Sequence, residues 1–124
     1  MLRSVFSKNY YLSSLYLLIT FSFLFSQDVT LSLDGQNLNY VSTEDIAGFQ
    51  FNHDGCASGA SGGDAAANGF TISSSSTVLL AFSFSGALIP AGSGTLLDLG
   101  GDCTEDSLSN FVFSGAGGTS LTSE

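Results

Sequence analysis

The stretch His53-Asp54-Gly55-Cys56 gathers the chain's single histidine, a carboxylate and one of its two cysteines within four positions. A histidine beside an acid can act as a general base, and the many nearby serines could supply a nucleophile. Serine is so frequent in this chain that such a match carries little weight. No G-x-S-x-G stretch stands in the strand–turn–helix setting that a nucleophile elbow requires. Beyond residue 26 there is one His and neither Lys nor Arg. Catalysis needs a positioned base, nucleophile or metal, so a non-enzymatic role is expected.

The carboxylates offer other chemistry. Glu105-Asp106 and Glu44-Asp45 are pairs of the kind a glycosidase uses, but neighbours in a strand point to opposite faces, so solvated turn acids are the better reading. Asp98, Asp102, Glu105 and Asp106 fall within nine positions around Gly100-Gly101, beside Cys103. Calcium takes carboxylates and carbonyls from such loops, and a structural calcium is the one cofactor these residues suggest, though they lack EF-hand spacing. A two-cysteine metal site would need more ligands than the nearby His53. Tyr40, Asn52, His53 and Asp54 are the candidate binding residues. Sugar-binding surfaces stack pyranose rings on exposed aromatics. This chain has no Trp, Tyr40 is its only Tyr beyond residue 26, and its seven Phe there fall at core-facing periods, so a polar cleft is expected in place of a flat aromatic face.

The elements that would hold these residues read as strands. Val29-Leu31-Leu33 alternate, Asp34-Gly35 turns the chain, and Leu38 and Tyr40 follow. Ala47, Phe49, Phe51 and His53 share one face of a strand, with Gln50 and Asn52 on the other. Cys56 to Gly69 has no large apolar residue and reads as a long loop without a core role. Phe70 and Ile72 open the next strand, which the run Ser73 to Ser76 breaks. Val78, Leu80, Phe82 and Phe84 then alternate against Leu79, Ala81 and Ser83; both sides are largely apolar, as in a central strand. Pro90 and the AGSG after it mark a turn, Thr95 to Leu99 and Leu108 to Phe113 form two more strands, and Ser120 to Thr122 begins a last one. No segment has a helical period. Seven or eight short strands predict an all-β, antiparallel two-sheet β-sandwich over residues 27–124.

Arg3 and Lys8, then the apolar run Leu15 to Phe25, then Ser26-Gln27 describe a signal peptide, a signal helix over residues 1–26. Eleven apolar residues are too few for a span, which needs about twenty, so no membrane span is expected after cleavage. Loss of Arg3 and Lys8 takes the formal charge from −9 to −11. Nucleic acid is excluded as a partner, because its binding rests on Lys and Arg neutralising phosphates. The remaining 98 residues suit one domain. An even cysteine count in an exported portion favours a Cys56–Cys103 disulfide. The expected location is secreted, extracellular or cell-surface.

Several of these strands resemble those of cohesins, within the wider carbohydrate-binding-module superfamily. Ile46-Ala47-Gly48-Phe49-Gln50-Phe51 is similar to their "agfqf" strand. Gly69-Phe70-Thr71-Ile72 and Leu79 to Phe84 resemble the middle strands, and Ile89-Pro90-Ala91-Gly92-Ser93-Gly94-Thr95-Leu96 resembles the step into a later one. Together these cover most of Val29 to Phe113. The resemblance implies a jelly-roll or cohesin-like sandwich that binds without catalysis, its partner a polysaccharide or another surface or secreted protein. The alternative is a structural or adhesive surface domain with a calcium-stabilised loop. Two departures matter: His53-Asp54-Gly55-Cys56 replaces the family's Tyr-Asp-Pro-like turn, and the sequence stops where a final strand would run on, as in a C-terminally truncated domain. Dockerin-contacting residues are therefore not carried over.

Overall fold

The computed structural model describes residues 27–124; the leader expected over residues 1–26 lies outside them. The alternating apolar residues fold into eight strands: β1 (Val29–Asp34), β2 (Asn37–Ser42), β3 (Ile46–His53), β4 (Thr71–Ser74), β5 (Val78–Phe82), β6 (Gly92–Asp98), β7 (Leu108–Gly115) and β8 (Ser120–Leu121). One short helix, α1 (Gly63–Ala67), interrupts them. The named strands pair antiparallel in two sheets, one ordered β1-β2-β6 and the other β4-β5-β3-β7-β8. This is the β-sandwich-like architecture that the period-two pattern predicts. After β8 the chain crosses to the outer edge of β1 and runs parallel to it, the Val29 and Leu31 N–H groups donating to the carbonyls of Thr122 (2.9 Å) and Glu124 (3.0 Å).

The two sheets enclose one apolar core. Val29, Leu38, Leu96 and Leu97 enter from the smaller sheet and Phe49, Phe51, Leu79, Ala81 and Phe113 from the larger, all buried. Aromatic rings form its centre: Phe49 stacks on Phe113 with centroids 5.6 Å apart, and Phe51 lies 4.9 Å from Phe111. Two bulges shape the interior. On β6 an extra residue opposite the Leu38/Asn39 step breaks the alternation, so that Leu96 and Leu97 are both fully buried. On β7 the register slips opposite Gln50/Asn52, and Asn110 there takes φ 55°.

Three sequence expectations need correction. Cys56 to Gly69 is no idle loop, for Ala57 and Ala65 are fully buried within it and it contains α1. Ser61 and Asp98 exchange two main-chain hydrogen bonds, 2.9 and 2.8 Å, so this segment covers the outer edge of β6. An exposed strand edge invites pairing with other chains, and covering it removes that hazard. Small residues suit the task because they let backbones approach closely. Second, β6 begins at Gly92 rather than Thr95, its glycines lying opposite Ser42 and Tyr40 of β2. A Cβ on Gly94 would stand 2.5 Å from the Asp64 carboxylate, so this glycine permits a close approach within a strand. Third, not every Phe faces the core: Leu79 and Ala81 are the inward residues of β5, so Val78 and Leu80 are exposed, and Phe84 just beyond the strand is exposed as well.

Candidate functional site

Of the residues singled out by sequence, His53 is buried and structural. Its Nδ1 accepts hydrogen bonds from the N–H groups of Gly55 (3.0 Å) and Ala57 (3.3 Å). Such a nitrogen carries no proton, which places the ring hydrogen on Nε2, facing Ser74 Oγ at 3.4 Å. The Ser74 hydroxyl donates to the Ala57 carbonyl at 2.7 Å. This chain of bonds fastens the turn leading to Cys56 and leaves the imidazole no accepting nitrogen for a serine proton. Asp54 Oδ1 accepts from the Cys56 N–H at 3.2 Å, the local turn bond common for aspartate. Gly59-Ala60-Ser61-Gly62-Gly63 does spell G-x-S-x-G with α1 behind it. The strained φ of a nucleophile elbow is missing there, since among the described residues only Asn110 has a positive φ outside glycine.

The four acids proposed for calcium are not brought together. Asp98 Oδ1 accepts from the Gly100 N–H at 2.8 Å, while Asp102 Oδ1 meets Gln36 Nε2 at 3.5 Å. Glu105 and Asp106 lie exposed in a 3-10 turn capped by Thr104 and Ser107. Among the described residues no three His, Cys, Asp or Glu side chains form a group that could hold a metal ion. Cys56 and Cys103 are joined in a disulfide.

Tyr40 is buried, and its hydroxyl donates to Asp64 Oδ2 at 2.6 Å, joining β2 to α1. Burial first, then the hydrogen bond and the charge of Asp64, hold the phenol well above its ordinary value. A phenol raised in the folded state contributes stability in full below about pH 10, where an unfolded tyrosine titrates, and loses it as pH rises further. Tyr40→Phe is expected to cost about 2 kcal/mol at neutral pH, the worth of a hydrogen bond to a charged acceptor. The variant will also lose less stability between pH 9 and 11, read by urea unfolding at each pH; an alkaline fall as steep as that of the parent would refute the assignment.

Of the four binding candidates Asp54 is exposed in its turn, and Asn52, half-buried, lies on the outer face of the five-stranded sheet. Its neighbours across the strands are Val78 and Ser109. The next row is Ser73, Leu80, Gln50 and Val112, and the one after is Thr71, Phe82, Gly48 and Ser114. Val78, Leu80 and Val112 are exposed. Phe84 continues the line of Val78, Leu80 and Phe82 beyond the end of β5, is 84% exposed and meets Phe82 edge-on, with centroids 4.7 Å apart. The strand part of this apolar ridge, Val78 to Phe82, extends roughly 13 Å at about 3.3 Å per residue, and Phe84 sits in the turn at its end. Beside the ridge lies a shallow hollow of about 180 Å³ floored by Gly48 and bordered by Gln50, Leu80, Phe82, Val112 and Ser114.

No acid lies in any strand of this sheet. All eleven Asp and Glu fall outside these strands, and residues 65–97 and 107–123 are free of charge. In so acidic a chain this face is electrically blank, combining an apolar ridge with the amides of Gln50 and Asn52 and a border of Ser and Thr. It can take an uncharged ligand that offers both apolar and hydrogen-bonding surface. Sequence reasoning counted every Phe beyond residue 26 as core. The charge-free run from 65 to 97 was the available signal for this face; the register that turns Val78 and Leu80 outward, and the turn that exposes Phe84, were not. No protein family, curated protein or solved structure matches the chain.

Proposed function

We propose that this chain is a non-catalytic binding module of a secreted or cell-surface system, and that it grips an uncharged polysaccharide on the outer face of its five-stranded sheet. The observation that carries this reading is the exposed Phe84 at the end of an apolar ridge on a charge-free face. Sugar rings present apolar C–H faces that stack on aromatic and aliphatic side chains, while their hydroxyls bond to amides and hydroxyls such as those of Gln50, Asn52 and Ser114. A phosphorylated or sulfated ligand would find no Lys or Arg among the described residues. The disulfide agrees with an oxidising compartment, and the strand resemblance to cohesins agrees with binding in place of catalysis.

Pull-down and affinity electrophoresis against neutral glucan, mannan, xylan and chitin, with alginate as the charged control, test this reading. At least one neutral polymer will bind with an affinity indifferent to salt, because no charge pair is screened. Phe84→Ala will weaken that binding about ten-fold or more, the share of a well-stacked aromatic ring. Its unfolding midpoint will stay unchanged, since so exposed a side chain supports little packing. Retention on alginate alone, or undiminished binding by the variant, would defeat the proposal.

A further inference from the structure

The hollow beside the apolar ridge owes its depth to a missing side chain. The outward positions of β3 are Gly48, Gln50 and Asn52, and Gly48 alone of them sends no Cβ into the space above the sheet. Phe82 of β5 and Ser114 of β7 stand opposite it on either side, and the row Leu80, Gln50 and Val112 closes one end. Directly opposed residues of antiparallel strands hold their Cβ atoms only about 4.5–5.5 Å apart, so one absent side chain leaves a walled pit. It measures about 180 Å³, and no charged residue lines it. Its walls are of two kinds. Leu80, Phe82 and Val112 supply apolar surface, while Gln50 and Ser114 supply an amide and a hydroxyl. The Ser114 hydroxyl donates to the Gly48 carbonyl at 3.4 Å. That is longer than the roughly 2.5–3.0 Å of a firm O–H···O bond, so a ligand can draw the hydroxyl away.

We infer that this hollow seats the acetamido substituent of an N-acetylated hexosamine, so that the face selects N-acetylated glycans among neutral ones; the inference rests on the carbohydrate-binding reading above. An acetamido group is uncharged and compact, with one apolar end and one polar end. Its methyl group gains from apolar walls. Its N–H and C=O each need a partner once water is displaced, because an amide buried without hydrogen bonds loses more than it gains. A glutamine amide both donates and accepts, so Gln50 can satisfy both groups, and the Ser114 hydroxyl can donate to the carbonyl as well. A bare hydroxyl at the same position of the sugar would leave the three apolar walls without contact, and an ammonium or carboxylate would find no counter-charge there. Neighbouring strands lie about 4.7–4.9 Å apart, so a sugar ring stacked on Phe82 of β5 brings a projecting substituent above Gly48 of β3.

The test titrates the full chain calorimetrically with tetramers of glucose and of N-acetylglucosamine joined by the same linkage, which differ in one ring substituent. The acetylated tetramer will bind about ten-fold more tightly, the combined share of one buried methyl group and one hydrogen bond. Saturation-transfer NMR will find its acetyl methyl protons the most strongly saturated of the ligand. Gly48→Ala puts a methyl group on the floor of the hollow and will bring the ratio of the two affinities close to one. A Cβ there meets the Ala81 carbonyl and Ser114 Oγ at 3.3 Å, so thermal unfolding of this variant is followed as well. Gln50→Ala, at an exposed position, is the second variant and will also lower the ratio. Equal affinity for the two tetramers would overturn the inference and leave the neutral-glycan reading standing. Failure of the acetylated tetramer to bind would overturn it too, and would take that reading with it only if the neutral polymers are not retained either. A preference that survives in both folded variants would overturn the assignment to this hollow.

Discussion

Reduction of the Cys56–Cys103 disulfide is expected to lower the thermal unfolding midpoint by roughly 15–30 °C, the largest single effect this fold offers. The bridge joins residues 47 apart in sequence. Closing a loop of that length removes about 4 kcal/mol of conformational freedom from the unfolded chain. A domain of this size shifts its midpoint by about 4–8 °C per kcal/mol, and its whole margin is only about 5–15 kcal/mol. The location adds to the effect. Cys56 follows the turn that His53 fastens at the end of β3, and Cys103 sits in the irregular segment between β6 and β7, so the bridge ties the larger sheet to the exit of the smaller one. Circular dichroism melts with and without reductant, and of the double variant Cys56→Ala/Cys103→Ala, measure this. A midpoint that does not move would show that the bridge restrains nothing.

Gly63→Ala should destabilise the fold by about 3–5 kcal/mol, a strained backbone and an overpacked contact acting together. Gly63 opens α1 at φ 65°, and a Cβ there would lie 2.5–2.6 Å from the main chain of Leu96 and Leu97. Those atoms belong to the β6 bulge that buries both leucines, so no flexible side chain can move aside. Gly62→Ala is the matched control. Gly62 has φ 76° and open space around its Cβ position, so it bears the backbone cost alone, about 1–3 kcal/mol. Urea denaturation of the two variants separates the contributions. Equal losses would mean that α1 does not press against β6.

Much of the architecture was legible because a strand with one buried face writes its period into the sequence. Val29-Leu31-Leu33, Leu38 and Tyr40, and Phe49-Phe51-His53 announced β1, β2 and β3. The candidate site was far less legible. In β5 both parities are apolar, and hydrophobicity alone favours burying the larger set, Val78, Leu80, Phe82 and Phe84. Pairing with β3 sets Leu79 opposite Phe51 and Ala81 opposite Phe49, on the side of the buried aromatics, so the larger set faces out. His53 and Asp54 looked chemical because of their types; their turn consumes them in local hydrogen bonds that no spacing rule discloses.

The sequence by itself determined the all-β character and the pairing of its only two cysteines. It also determined the strongly acidic charge, because period, count and charge are properties of a chain before it folds. Tertiary structure alone decided which face of β5 meets solvent, that the small-residue stretch 56–69 packs along β6, and that Gly48 floors a hollow beside the ridge. Each of these depends on which distant strands pair and in what register, and a shift of one residue would exchange the two faces of a strand without altering a letter of the sequence.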